Sequence, residues 1–259
     1  MNYGVCCLSV VPVRADVSDK SEMVSQLLFG ETFCITAFSK SWAKIVSDHD
    51  NYEGWVNEKQ IVPLTQDEHA KIVSSNKFYS TDLVHEINQK NAKNIFILPG
   101  SILYNTTASD FVLGEKTFSY TGQTVKADNA PTTEKLILNG LLYMNSPYLW
   151  GGRSPFGIDC SGFVQIAGRL SGITLPRDTR QQAEVGEIIN LHSEAKPGDL
   201  AFFDNPEGRI IHVGILMENN QIIHASGRVR IDTLDHQGIF TNDTKKYSHQ
   251  LRVIKRIIS

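Results

Sequence analysis

Short alternating runs of apolar and polar residues make up residues 1–64. Val, Ile, Phe and Trp supply most of the apolar positions, and Gly30 and Gly54 interrupt the runs. Such alternation is typical of half-buried β-strands, and no helical period of about 3.6 residues persists. The apolar segment at 5–13 is predicted to be the first strand. The pattern therefore predicts a small β-barrel.

Residues 65–126 open with a polar stretch that includes a predicted short helix. Two β-like runs follow it, "KNIFILPGSILYN" and "FVLGEKTFSYTGQTV", in which glycine and polar residues separate the apolar ones. Runs of this kind favour short strands joined by turns. We predict a second, degenerate β-barrel for this segment.

The pattern changes near residue 127, where helical spacing replaces alternation. Pro131 and the threonines after it are typical of a helix start, and apolar residues follow at helical intervals. Further helices are predicted in "DCSGFVQIAGRLSG", ended by Gly172, and in "PRDTRQQAEVG". Four strand-like runs come next: "DLAFF", "IIHVGILM", "QIIHAS" and "RVRIDTL". Helices followed by an antiparallel sheet predict an α+β domain over 127–259.

The composition is that of an ordinary folded domain protein. Hydrophobic residues make up 41% of the chain, charged residues 20%, and the net charge is −3. There is no basic excess to attract a polyanion, so nucleic acid is not expected as a partner. No apolar run approaches the about 18–20 residues of a membrane-spanning helix, so no membrane span is expected.

The N-terminus and the cysteines bear on the compartment. No Lys or Arg precedes the apolar segment at 5–13, and Pro12 interrupts it, which makes it a poor secretory signal. The four cysteines contain no Cys-x-x-Cys pair and lack the density of a disulfide scaffold. These features predict a cytoplasmic location. A periplasmic or secreted location is expected instead if a signal segment has been removed.

Cys160 lies between a glycine-rich segment and a predicted helix. Gly151, Gly152, Pro155 and Gly157 disfavour helix before it, and "SGFVQIAGRL" after it has helical periodicity. A thiol at a helix start lies near unpaired N–H groups, which stabilise a thiolate. The amide of Cys160 is also a candidate donor to an oxyanion. Cys160 is therefore a candidate nucleophile, and a buried structural cysteine is the alternative.

Two histidines are candidate partners of this thiol. His212 and His224 lie in apolar strand-like runs twelve positions apart, joined by the polar turn "MENNQ". Adjacent antiparallel strands would bring the two rings together, as a general base and the group that orients it. The structural alternative is that both are core histidines whose hydrogen bonds are satisfied within the fold. A zinc site formed with Cys160 is another alternative, although the spacing shows no paired ligands. The remaining histidines are predicted to be solvated: 49, 69, 85, 192, 236 and 249.

These motifs together carry a family resemblance. The segments "YLWGGRSPFGIDCSGFVQ", "KPGDLAFF", "HVGILMENNQIIHAS" and "RIDTL" resemble the NlpC/P60 cysteine peptidases, papain-like enzymes that cleave peptides of bacterial peptidoglycan. The resemblance spans residues 131–258. It implies Cys160 as nucleophile, His212 as general base and His224 as the orienting group. No cofactor and no metal are expected.

The N-terminal residues resemble a second kind of module. "VPVRADVSDKSEMVSQLLFGE", Trp42 and "GWVNEKQIV" are similar to a bacterial SH3 domain. We therefore expect three domains: SH3-like at 1–64, degenerate SH3-like at 65–126, and NlpC/P60 at 127–259. With "LPRDTRQQ", this order resembles the γ-D-glutamyl-L-diamino acid endopeptidases, or dipeptidyl-peptidase VI, which cut peptides with a free N-terminal L-Ala. The implied partners are murein tripeptides or tetrapeptides, with lysine or diaminopimelate as the diamino acid.

The same resemblance implies residues that bind substrate. Those in the C-terminal domain are Tyr148, Asp159, Ser161, Asp178 and Thr179. A core aromatic residue is the alternative for Tyr148, and helix N-caps are the alternatives for Asp159 and Asp178.

An acidic residue and a tyrosine of the first SH3-like domain are expected to complete the pocket for the free amine. The candidates are Glu31 and Tyr52, and Glu53 or Asp50 could replace the first of them. A solvated turn glutamate and a tyrosine in the barrel core are the alternatives.

Two other functions stay open at this stage. A papain-like amidase or acyltransferase would use the same cysteine and histidine arrangement on another acyl substrate. A wall-binding protein without activity would use the SH3-like modules alone, although all three implied catalytic residues are present.

Overall fold

The computed structural model describes residues 2–105 and 110–258. The chain divides into two compact units, which we describe separately. The N-terminal unit comprises residues 1–129 together with 150–155, and the C-terminal unit comprises 130–149 and 156–259. The division into three domains stays a prediction. In the part of the chain that the structure describes, no helix is long and apolar enough to cross a membrane.

The N-terminal unit begins with a seven-stranded antiparallel sheet in the order β3-β2-β6-β5-β4-β1-β7. Burial alternates along strands such as β2 and β5, as the sequence pattern predicts. Val11, Phe33, Ile45 and Val56 are among the apolar residues that form its core. The strands are β1 (Asn2–Val5), β2 (Val10–Arg14), β3 (Met23–Leu28), β4 (Thr32–Ser39), β5 (Trp42–Ser47), β6 (Glu53–Asn57) and β7 (Val62–Leu64).

The apolar segment at 5–13 forms parts of two strands, so the prediction of one strand there is wrong. β1 pairs with β4 and β7, whereas β2 pairs with β3 and β6. Between them, Cys6 donates its N–H to the Glu31 carbonyl and accepts from the Gly30 N–H. These bonds replace ladder pairing at the point where the chain changes neighbours.

A helix and two small antiparallel sheets follow in the same unit. Helix α1 (Gln66–Val73) begins with a capping box in which Thr65 and Glu68 satisfy each other's backbone N–H groups. One sheet has the order β10-β9-β13-β12 and the other β11-β8-β14. The predicted β-rich character and short helix are confirmed. The strands are β8 (Lys77–Ser80), β9 (His85–Gln89), β10 (Ile95–Ile97), β11 (Ile102–Tyr104), β12 (Phe111–Leu113), β13 (Lys116–Ser119) and β14 (Thr124–Lys126).

Helices come first in the C-terminal unit, as predicted. Thr132 caps α2 with its side chain on the Lys135 N–H, which places the helix start directly after Pro131. Helix α3 ends before Gly172, which has a φ of +81°, a conformation that favours glycine. The helices of this unit are α2 (Thr133–Leu141), α3 (Cys160–Leu170) and α4 (Thr179–Gln182), and the two-residue strand β16 (Gly157–Ile158) precedes α3. The other two-residue strand, β15 (Arg153–Ser154), belongs to the N-terminal unit.

An antiparallel sheet follows these helices in the order β17-β23-β18-β19-β20-β21-β22. Strand β23 pairs with β18 and also with β22, so the sheet closes on itself into a barrel. Helix α3 packs against β19 and β20. The predicted α+β class is confirmed, and β17, β22 and β23 lie outside the four predicted strands. The strands are β17 (Glu187–Ile189), β18 (Leu200–Asp204), β19 (Ile210–Met217), β20 (Gln221–Ser226), β21 (Arg228–Leu234), β22 (Gly238–Thr241) and β23 (Lys246–Arg256).

Candidate active site

Cys160 is the first residue of helix α3, as predicted. Asp159 caps this helix, because its Oδ1 accepts a hydrogen bond of 2.7 Å from the Gly162 N–H. The amides of a first helical turn have no acceptor within the helix. The backbone N–H of Cys160 therefore belongs to a group of donors that can face an anion next to the sulfur.

The Cys160 thiol is buried, and burial raises its pKa to about 11, with Asp159 adding to the rise. Three groups act in the opposite direction: the Thr179 hydroxyl, the backbone of Val213, and Arg177. The Thr179 Oγ1 lies 3.8 Å from the sulfur. The helix start alone therefore does not ionise the thiol, and a base must remove its proton.

His212 and His224 lie on neighbouring strands, β19 and β20, as the spacing predicts. The His212 Nε2 is 2.8 Å from the His224 Nδ1, and both rings are buried. Gly214 is the residue opposite His224 in the ladder. A Cβ at Gly214 would lie 2.9 Å from the His224 Cβ, so glycine gives the second ring its space. Val213, next to His212, contacts the thiol, which places strand β19 beside Cys160.

His212 is held in its neutral form. Burial lowers its pKa well below the usual range, and His249 and His224 lower it further. A neutral imidazole can accept a proton, whereas an imidazolium cannot. The pair therefore consists of a protonated thiol and a neutral base.

Asp232 extends this chain of polar groups, although sequence reasoning assigned it no role. It lies on β21 with its Oδ2 3.1 Å from the His224 Nε2. Burial raises the pKa of Asp232, but hydrogen bonds from His224, Arg230 and the Asn242 N–H outweigh it and hold the pKa well below the usual range. The sequence contains a signal for this position. When "RVRIDTL" is aligned antiparallel to "QIIHAS", the aspartate lies near the histidine.

His249 is the second residue that the sequence did not identify. The prediction that it is solvated is wrong, because its ring stacks on His212 with centroids 4.1 Å apart and an interplanar angle of 20°. Burial lowers the pKa of His249 to about 4, and His224 adds to this effect. Of the other histidines predicted to be solvated, His69 pairs with Asp48 at 2.6 Å, and the side chain of His192 lies outside the described residues.

Asp159 forms a buried ion pair with Arg177, which the sequence analysis also missed. The two nitrogens Nη1 and Nη2 of Arg177 lie 3.0 and 2.6 Å from the two carboxylate oxygens. Arg177 Nη1 also donates to the Ser161 Oγ at 2.9 Å. Asp159 therefore caps helix α3, which was the alternative role expected for it. It also places a charged group next to Cys160.

Most of the predicted substrate residues of this unit gather around the thiol. Tyr148 is half-buried, and burial raises its pKa, with Cys160 and Asp159 adding to the rise. Thr179 contacts the sulfur, and Asp178 lies exposed at the start of α4. Their roles in binding stay predictions.

Glu31 and Tyr52 lie in the N-terminal unit. Both Glu31 oxygens are 2.9 Å from Arg153 nitrogens, and the Leu28 N–H donates to Oε2 at 3.0 Å. Glu31 is 1% exposed, so the alternative of a solvated turn residue is wrong. Tyr52 is half-buried and donates its N–H to Asp50. Binding of an amine by either residue stays a prediction.

The described residues do not contain the ligand cluster of a metal centre. Across 2–105 and 110–258, no three His, Cys, Asp or Glu side chains form a group that could hold a metal ion. Cys160, His212 and His224 thus lie together without making such a group.

Comparison with known protein families identifies two domains in this chain. The NlpC/P60 family model matches residues 145–248, which include Cys160, His212 and His224. The model of the bacterial dipeptidyl-peptidase SH3 domain matches residues 13–61. The chain therefore contains an NlpC/P60 domain preceded by a bacterial SH3 domain.

Individual relatives extend the similarity over both regions. The chain is 29% identical over 214 residues to the gamma-D-glutamyl-L-lysine dipeptidyl-peptidase of Bacillus subtilis (strain 168), covering 78% of this chain and 71% of that protein. It is 28% identical to dipeptidyl-peptidase 6 of Lysinibacillus sphaericus, covering 84% and 86%. The structure of an NlpC/P60 family protein from Bacillus cereus ATCC 10987 has the same fold, with a TM-score of 0.84, 20% identity, and coverage of 99% and 100%.

Proposed function

We propose that the protein is a cysteine peptidase that hydrolyses the bond between γ-D-Glu and the diamino acid in peptidoglycan-derived peptides with a free N-terminal L-Ala. The juxtaposition of Cys160, at a helix start, with the His212–His224 pair supports the cysteine mechanism. The names of the relatives, two of which are gamma-D-glutamyl-L-lysine dipeptidyl-peptidases, support the substrate. The proposal includes recycling of released wall peptides in the cytoplasm.

The resting state of the proposed enzyme is a neutral pair. Burial keeps the thiol protonated and His212 unprotonated. The His212 Nε2 is engaged with His224, so Nδ1 is the nitrogen that accepts the thiol proton. Proton transfer and attack then occur together, as in general-base catalysis of a nucleophile.

The reaction takes two steps. The Cys160 sulfur attacks the γ-carbonyl carbon of D-Glu, and the N–H of Cys160 donates to the resulting oxyanion. The His212 imidazolium returns its proton to the α-amine of the diamino acid, which leaves as the C–N bond breaks and a thioester forms. A water molecule then gives a proton to His212 and its oxygen to the thioester carbon. The products are L-Ala-γ-D-Glu and the freed diamino acid peptide, and the thiol is regenerated.

Product analysis tests this function directly. L-Ala-γ-D-Glu-L-Lys and its diaminopimelate analogue are incubated with the protein, and the products are identified by mass spectrometry. We expect release of L-Ala-γ-D-Glu, no release by Cys160→Ala, and much slower release from peptides acetylated at the N-terminus. Cleavage of N-acyl or lipid esters in preference to these peptides would support an amidase or acyltransferase instead. Binding of wall peptides without any turnover would support a wall-binding protein.

A further inference from the structure

The proton positions along the histidine chain decide which nitrogen of His212 is the base. Each neutral imidazole has one N–H and one bare nitrogen. His212 uses Nε2 toward His224, and His224 uses Nδ1 toward His212 and Nε2 toward Asp232. Either ring can donate the hydrogen bond between them. If His212 donates, its Nδ1 is bare; if His224 donates, the Nδ1 of His212 carries the proton.

Asp232 permits only one of these arrangements. An ionised carboxylate can accept hydrogen bonds but cannot donate one. The His224 Nε2, 3.1 Å from Oδ2, must therefore carry the proton, which leaves Nδ1 bare in a neutral His224 ring. The His212 Nε2 then donates to that Nδ1 across 2.8 Å, and the His212 Nδ1 is left bare.

The surroundings of Asp232 hold the carboxylate in its ionised form. Arg230 Nε lies 2.7 Å from Oδ2, and Arg230 Nη2 lies 2.9 Å from Oδ1, which also accepts from the Asn242 N–H at 3.1 Å. Arg230 in turn pairs with Asp243 at 2.9 Å. The aspartate is 1% exposed, so bulk water does not compete for these bonds.

We propose that Asp232 is a positioning residue that acts through His224 to set the tautomer of His212. This inference rests on the proposed function, because it names the group that makes His212 a base toward Cys160. The hydrogen bonds of Asp232 run to His224, Arg230 and the Asn242 N–H, so it acts on the thiol only through the histidine pair. Its negative charge also stabilises, through His224, the imidazolium that forms on His212 during attack.

Nitrogen-15 NMR of the imidazole rings tests the proton positions without any measurement of activity. In the wild-type protein at pH 7, we expect both His212 and His224 to carry the proton on Nε2, with resonances assigned from His212→Gln and His224→Gln. A protonated Nδ1 on His212 would overturn the proposal. Because this reading needs no substrate, it stands even if the proposed peptidase activity fails.

Kinetics of Asp232→Asn test the consequence for catalysis. We expect kcat to fall about 10- to 100-fold with little change in KM, since only proton transfer is impaired. The tautomer of His212 should become mixed in the same variant. Unchanged kcat and tautomer in a folded Asp232→Asn protein would overturn the role.

A control variant separates this role from a structural one. Asp199 is also buried and paired with an arginine, Arg256, at 2.8 Å, but contacts neither histidine of the pair. Asp199→Asn should lower the melting temperature without lowering kcat as Asp232→Asn does. If Asp199→Asn reduced kcat equally, Asp232 would have only a structural role.

Discussion

Both units of the protein contain buried cysteines, and the two environments differ in what surrounds the sulfur. Cys6 and Cys7 lie in the N-terminal unit, and Cys160 lies in the C-terminal unit. Burial raises the pKa of Cys7 to about 12, raises the pKa of Cys6 further, and raises the pKa of Cys160 to about 11. By burial alone, the three thiols are similar.

The difference lies in the polar groups within reach. The Cys6 sulfur donates to the Leu8 carbonyl at 3.4 Å. A backbone hydrogen bond with Leu8 lowers the pKa of Cys6, and Lys116 lowers that of Cys7, but burial outweighs each of these single effects. Cys160 has the Thr179 hydroxyl, the Val213 backbone and Arg177 as stabilising neighbours, together with a neutral histidine base on the adjoining strand. Burial thus disfavours the thiolate form of all three cysteines. The neighbouring donors and the histidine base make Cys160 the candidate nucleophile.

The largest expected effect is on activity. Cys160→Ala should reduce kcat/KM for the tripeptide by about 10⁴-fold or more, because no other group can form the thioester. Cys6→Ala and Cys7→Ala should leave kcat/KM within about threefold of the wild type while lowering the melting temperature, since they remove buried atoms. A loss of activity in Cys7→Ala as large as in Cys160→Ala would show that the environment of Cys160 does not single it out as the nucleophile.

Arg177→Met tests the difference between the two cysteine environments through the free energy of unfolding and the alkylation rate of Cys160. The change leaves Asp159 buried beside the thiol without its cation, so we expect the free energy of unfolding to fall by about 3–5 kcal/mol in urea titrations. Arg153→Met is the matched variant, because Arg153 forms an equally buried pair with Glu31 in the other unit. Both should lose stability, but only Arg177→Met should slow alkylation of Cys160. Equal alkylation rates in the two variants would show that the Arg177 charge does not affect the thiol.

The pH dependence of alkylation tests the resting state. A thiol with a pKa of about 11 is protonated at neutral pH, so labelling of Cys160 by iodoacetamide should accelerate about tenfold per pH unit from pH 7 to 10. The rate is measured by mass spectrometry of the peptide that contains Cys160. A rate independent of pH between 6 and 8 would indicate a preformed thiolate and imidazolium instead of the neutral pair.

The smallest effect is expected at His249. Its ring lies flat on His212, so His249→Ala should let that imidazole tilt and lower kcat by about three- to tenfold, as loss of orientation does. His249→Phe retains a flat ring and should keep kcat close to the wild-type value. If both variants are equally impaired, the nitrogens of His249 matter more than the stacked plane, and its contact with Ser248 at 2.9 Å becomes the feature to examine.

At Glu31, the environment expected from the local sequence differs from the environment in the structure. The sequence predicts Glu31 as a carboxylate that binds the free amine, with a solvated turn residue as the alternative, yet the chain buries Glu31 against Arg153, 122 positions away. No local pattern reports such a pairing, because each residue taken alone is compatible with a solvated position. Replacement of Glu31 therefore affects a buried ion pair as well as any binding of substrate.

The sequence by itself determined the elements that carry the proposed chemistry. Glycine and proline before Cys160, and Asp159 as a cap, specify a helix start through local backbone preferences, and alternation specifies the strands of His212 and His224. Only the tertiary structure decided the groups around them. Asp232, His249 and Arg177 reach the site through strand register and chain packing, and burial sets the ionisation of the thiol and its base. Those quantities depend on contacts between distant residues, which a one-dimensional pattern does not encode.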